Sequence, residues 1–186
     1  MMENLPFNLE NILYGKTVEN WRIEYKSIIS DLNELYVGAT LCAFANDYMN
    51  QNGGWLIIGI EAPQGEPILP PLGLQPDQIE KCQQGIRVLG KKMDPPYHPA
   101  IFSTEFQSQP ILVVYAPAGD ERPYTTLDPR EPKNREYFIR EGAETVKAYI
   151  FRSKSAGVPE QIGHPTGANR PPLPGRLEGK VGSGAG

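Results

Sequence analysis

The chain has 186 residues and 20.6 kDa, with 22 acidic against 18 basic side chains, 39% hydrophobic residues, two cysteines and two histidines. That length fits one domain of about 100 to 150 residues plus a tail, and Cys42 and Cys82, without a CxxC pair and with only His98 and His164 beside them, exclude a zinc site or a disulfide framework. The start, MMENLPFNLE, carries no basic stretch followed by an apolar run, and no window approaches the ~20 apolar residues of a membrane span, so a soluble, cytoplasmic protein is expected.

Leu5, Leu9, Ile12 and Leu13 recur at helical spacing before Gly15, which predicts a short helix closed by a glycine. Trp21, Ile23 and Tyr25 then alternate with Arg22, Glu24 and Lys26, the period of a half-buried strand with one apolar and one ionic face. Asp31 is placed to cap a long helix running to about Asn50, with Leu32, Leu35, Tyr36, Ala39, Ala43 and Phe44 as its apolar stripe and Asn52-Gly53-Gly54 as its stop. Trp55 to Ile60 is a continuous apolar run, the mark of a strand covered on both faces.

Residues 62–76 hold five prolines and read as a loop. Asp77 to Met93 predicts a second long helix with Ile79, Cys82, Ile86 and Leu89 inward, stopped by Asp94-Pro95-Pro96. Ile101–Phe106 and Ile111–Ala116 form an expected hairpin, and Tyr137–Arg140 a last strand, followed after Gly142 by a short closing turn or helix through Ala148. The order predicts an α+β fold, a mixed sheet with packed helices, as a single domain over 1–151. Residues 152–186 read as a disordered Gly/Pro-rich tail or linker, because eight glycines and five prolines after Arg152, with no aromatic, cannot offset their ordering entropy by burial. Its final GKVGSGAG has linker composition, so a missing downstream domain is expected. Residues 1–151 carry 13 bases and 20 acids, a distinctly acidic domain.

Gly15-Lys16-Thr17 is not a phosphate loop, because Glu10 stands where that loop needs its first glycine. His98, in PPYHP, has no nucleophile elbow to serve. Glu19, Glu24 and Lys26 are a more chemical set: Glu24 and Lys26 project to one side of a strand, and Glu19 can fold back toward them. Carboxylates that hold a divalent cation beside a lysine are the equipment of a metal-dependent nuclease; the same residues also read as a solvated strand face whose charges neutralise one another. A second cluster, Arg130, Lys133, Arg135 and Arg140 with Tyr124 and Tyr137, and a third, Arg87, Lys91 and Lys92, mix bases with aromatics or end a helix; either contact with a phosphate backbone or ordinary surface charge accounts for them.

Five blocks then appear in order: Glu19-x4-Glu24-Tyr25-Lys26, Cys42-Ala43-Phe44-Ala45-Asn46, Gly53-Gly54-Trp55 through Glu61, Arg122-Pro123-Tyr124, and Tyr137-Phe138-Ile139-Arg140-Glu141-Gly142 through Thr145 and Ala148. Together they resemble the Schlafen AlbA-type domain over residues 10–150. The resemblance implies an α+β nucleic-acid-binding domain, DNA or RNA, of the kind found in transcriptional regulators. Lys26, Arg122, Lys133, Arg135 and Arg140 would then be backbone contacts, no cofactor would be needed, and a homodimer would be formed. It also implies an alternative, a metal-dependent endoribonuclease holding Mg or Mn through Glu19 and Glu24 with Lys26 opposite the phosphate. There the third acid of the family pattern falls on Ala62, which leaves Glu61 as a substitute ligand pointing to the other face of the strand. The chain also departs between Asn46 and Gly53, where the family spacing is about four residues shorter; the surplus predicts a longer helix or an altered loop. A third alternative is a module for dimerisation or interaction.

Overall fold

A computed structural model describes residues 8–30 and 33–148, together with the strand backbone at 149–151 and 161–163. Packing divides the chain into residues 1–148 and 149–186. Most of the expected tail therefore lies outside the described residues. Within the second unit, Tyr149 to Phe151 pair antiparallel with β8 (Gln161–Gly163).

The first unit is built on a four-stranded sheet ordered β1-β2-β4-β3, with β1 (Ile23–Lys26) parallel to β2 (Gly54–Ile58) and β2, β4 (Gln109–Ala116) and β3 (Ala100–Phe106) antiparallel. β2 is central and fully buried, as its unbroken apolar sequence requires. Its side chains alternate between two cores. Leu56 and Ile58, with Leu112 and Val114, face α2 (Glu34–Asn46) and α3 (Pro76–Lys92), whereas Trp55 and Ile57, with Val113, face Leu9 and Leu13 of α1 (Leu9–Tyr14). The β3–β4 hairpin turns on Gln107 and Ser108, both at positive φ, the backbone a two-residue turn demands.

A second antiparallel sheet joins β5 (Thr125–Leu127), β6 (Arg135–Glu141) and β7 (Glu144–Phe151). α2 packs on β4, β5, β6 and α3, so it is buried on every side from Val37 to Asn46. This explains its run of small residues: Gly38, Ala39, Ala43 and Ala45 let layers approach where a larger side chain would not fit.

The structure corrects several sequence expectations. Gly15 is in right-handed helical backbone, and the left-handed turn falls on Lys16 (φ 47°). α2 ends at Asn46, not near Asn50. Asp47 takes the left-handed conformation (φ 38°) and its carboxylate accepts from Gln51 N and Asn52 N at 2.8 and 2.9 Å, a local ring of bonds that competes with further helix. The surplus residues before Gly53 therefore enter the loop. Asn33 stands at the start of α2, and the cap expected at Asp31 lies outside the described residues. Tyr36, assigned above to the apolar stripe, is 52% exposed. In place of the short closing turn or helix expected after Gly142 the chain forms strand β7, and the three-residue β5 adds a strand to the expected order.

Gly53 and Gly54 serve packing rather than the helix end. A Cβ on Gly53 (φ 75°) would lie 2.0 Å from Ala116 O, and one on Gly54 would lie 2.2 Å from the Phe44 ring. Among the described residues no helix is long and apolar enough to cross a membrane.

Candidate functional site

The charged set at β1 folds inward. Glu24, expected on an ionic strand face, is 8% exposed because the second sheet covers it. Its Oε2 accepts from Arg140 Nη1 of β6 at 2.9 Å and its Oε1 from Lys26 Nζ. Arg140 Nη1 also donates to Thr145 Oγ1 at 2.9 Å and its Nη2 to Asn20 O at 2.8 Å, while the guanidinium lies 5.4 Å over the Phe44 ring. With a side chain only 5% exposed, Arg140 is a strut between sheets.

Glu19 does fold back. Its Oε1 accepts from Tyr25 N at 2.9 Å, and burial, together with the negative charge of Glu24, pushes its carboxyl above the usual value despite that bond. Lys26 and Arg140 lie close enough to oppose the rise. Glu19, Glu24 and Lys26 are thus brought together, whereas Glu61 is exposed beyond the end of β2 and Ala62 packs against the core cluster that includes Trp55. Among the described residues no group of three or more His, Cys, Asp and Glu is placed to hold a metal ion.

The other bases separate. Arg122 Nη1 donates to Asn46 O at 3.4 Å, and Arg135 Nη2 to Lys92 O at 2.7 Å, so both guanidinia close backbone carbonyls at the C-terminal ends of α2 and α3. Lys133 is exposed in the turn between β5 and β6. His98 is exposed, and Lys16 pairs with Glu66 at 3.2 Å.

Glu24, Lys26 and Arg140 open onto a cleft of about 810 Å³ between β1, α2, the β6–β7 hairpin and the 128–130 loop. Period two in β6 and β7 puts Phe138, Arg140, Thr145 and Lys147 on the cleft side, since Arg140 is paired with Thr145 and Phe138 with Lys147. Thr40 of α2 meets Thr145 hydroxyl to hydroxyl at 3.2 Å on the floor. Lys147 Nζ pairs with Glu136 at 2.6 Å and Asp128 at 3.4 Å, contacts that raise its pKa, the Glu136 contact most. Asp128 Oδ1 accepts from Arg130 N at 2.9 Å, which with Lys147 holds its carboxyl below the usual range. Arg130 is exposed at the rim, with no ion pair among the described residues.

Sequence reasoning missed Lys147, Thr145 and Thr40 as cleft residues. The signal lies in the alternation Thr145-Val146-Lys147-Ala148, which is strand-like but short and directly follows a glycine turn.

The CAFAN block turns out to be structural. Asn46 Nδ2 donates to Tyr124 O at 3.0 Å and Phe138 O at 2.9 Å, and its Oδ1 accepts from Tyr124 N at 2.7 Å. Cys42 Sγ donates to the same Tyr124 carbonyl at 3.2 Å, and burial pushes the thiol up to about 12. This amide ties α2 to β6 and to the Arg122-Pro123-Tyr124 block at once.

A family model described as Schlafen, AlbA_2 matches residues 19–149. Among solved structures the chain is similar to the DIP2311 protein from Corynebacterium diphtheriae, at 18% identity and TM-score 0.48 over 75% of this chain and 25% of that one. It is also similar to the N-terminal domain of a RecG-related protein from Nitrosomonas europaea, at 22% identity and TM-score 0.43 over 87% of this chain and 90% of that one. The chain thus spans a quarter of the length of the first of these structures. No curated protein matches it.

Proposed function

This chain belongs to the Schlafen AlbA_2 family, and from that premise we propose that it is a non-catalytic nucleic-acid-binding domain, with DNA as its polymer, in a cytoplasmic transcriptional regulator. The observation that carries the reading is the 810 Å³ cleft, where Lys26, Arg130 and Lys147 come from three separate parts of the fold and line one opening. Lys26 and Lys147 already hold carboxylates, so a phosphate backbone must exchange with Glu24, Asp128 and Glu136. Affinity is therefore modest and sensitive to salt. Arg140 contributes by holding Glu24 in place, not by touching phosphate.

The test is fluorescence anisotropy with labelled oligonucleotides across a salt series. Changing both Arg130 and Lys147 to Ala is expected to weaken binding and flatten the log–log salt slope by about 1.5, since each lost phosphate contact removes about 0.7 to 0.9. An unchanged slope overturns the placement in this cleft, and absence of binding at low salt overturns the function.

The convergence of Glu19 and Glu24 beside Lys26 favours a second reading, the metal-dependent endoribonuclease using Mg or Mn. It predicts Mn-dependent RNA cleavage that Glu19→Gln and Glu24→Ala both abolish; cleavage that survives both belongs to a contaminant. Pairing as a homodimer, and a role ahead of a further domain, complete the proposal. Strictly monomeric sedimentation at all concentrations removes the pairing.

A further inference from the structure

Tyr36 stands in the first turn of α2 at the mouth of the cleft, 52% exposed. Six other rings of this fold are matched in three pairs. Trp55 stacks on Tyr115 with centroids 4.3 Å apart, Tyr97 meets Tyr124 edge-on at 5.5 Å, and Tyr14 tilts against Phe106 at 4.9 Å. Tyr36 has no ring partner and no hydrogen bond among the described residues, although it shares an opening with Lys26, Arg130 and Lys147.

A large apolar ring left half in water beside cations is what a strand of unpaired bases requires. The ring offers a flat face, and the cations follow the phosphates. In a duplex both faces of each base are already covered by its neighbours, so only an unpaired base can be laid on the ring. The cleft volume agrees, because about 300 to 1,000 Å³ is the size of site that encloses a small molecule, and therefore an extruded nucleotide, not a double helix. Thr40 and Thr145 add hydroxyls to the floor one helical turn below Tyr36.

We propose that Tyr36 is a stacking platform that makes the cleft selective for single-stranded nucleic acid, one base lying on its ring while the adjoining phosphates run past Lys26, Arg130 and Lys147. This inference rests on the nucleic-acid reading above and goes beyond it in naming the strandedness of the polymer and the residue that selects it.

The experiment compares three labelled probes on the full chain: a single strand, a duplex of equal length, and a single strand with abasic sugars. Wild type is expected to bind the single strand at least about tenfold more tightly than the duplex. Tyr36→Ala, at an exposed position, should lower affinity for the single strand about tenfold and leave the duplex and the abasic strand unchanged, the lower part of the range for one stacked base. Tyr36→Phe should retain the wild-type value. If Tyr36→Ala binds the single strand as tightly as wild type, or loses the same factor on the abasic strand, the platform is overturned while the nucleic-acid reading stands. If wild type binds no probe at low salt, both fall.

Discussion

Arg140 of β6 and Glu24 of β1 form a 2.9 Å ion pair between strands of two different sheets, 116 residues apart in sequence. Two more bonds, to Asn20 O and Thr145, and the Phe44 ring hold the same guanidinium. Removing one partner of such a pair leaves a buried charge poorly compensated, a loss of about 3 to 5 kcal/mol. Arg140→Ala is therefore expected to lower the urea midpoint sharply, and Arg140→Lys to recover little, because one ammonium cannot reproduce a fork and a stacked plane. A midpoint within error of wild type would show that the pair is not a strut.

Asn46 gives a second prediction. Asn46→Ala strands the buried Tyr124 N, takes the amide donor from Phe138 O and leaves Tyr124 O with only the Cys42 thiol, at about 1 to 3 kcal/mol for each group left unmet, so a loss of several kcal/mol is expected in the same assay. Asn46→Asp should be worse still, since a carboxylate would face the oxygens of Tyr124 and Phe138. Equal stability of the Asp variant and wild type would refute the assignment of donor and acceptor.

The Asp128 carboxyl supplies a pH test. Its folded pKa lies below the ordinary 3.8, first through the Arg130 amide and then through Lys147, so the stability it adds is present above 3.8 and is lost as pH falls through the folded value. The gap in unfolding free energy between wild type and Asp128→Asn should be widest near neutrality and close as pH drops below 3.8. Lys147, raised by Glu136 and Asp128, works in the opposite sense; its contribution is whole below 10.5 and fades as pH rises past its folded value. A gap that stays constant from pH 7 to pH 2 would contradict the first half of this account.

Both thiols, Cys42 and Cys82, are buried, and burial raises the pKa of each. Neither is expected to react with a thiol reagent in the native protein, and both should react in denaturant. A native thiol that titrates within minutes would show that α2 or α3 opens readily.

The sequence carries the layers of this fold more plainly than its site. WLIIGI can only be a covered strand, and the inward spacing of Ile79, Cys82, Ile86 and Leu89 fixes α3. Glu24 is different: its local pattern is that of a strand facing water, and only Arg140, far along the chain, reverses this. Tyr36 errs the other way, apolar by type and placed on a stripe that the bundle covers only from Val37 onward. Lys147 is hidden because its segment follows a glycine turn closely, where a closing turn or helix and a strand share the same local pattern. Short-range periodicity reports how a residue sits on its own element, and the cleft is made where β1, α2, the β6–β7 hairpin and the 128–130 loop meet.

One arrangement at β1 reaches beyond this molecule. On the margin of that strand turned away from β2, Tyr25 N is taken by Glu19 and Ile23 O by Asn20 N, so the hydrogen-bonding row is closed by the segment preceding it. A foreign chain seeking to extend the sheet there would first have to peel those two residues away. Lateral polymerisation of this sheet is left with the β3 margin, where outward Ser103 and Glu105 present polar side chains to any newcomer, and the cleft wall is spared from sticking to its own kind.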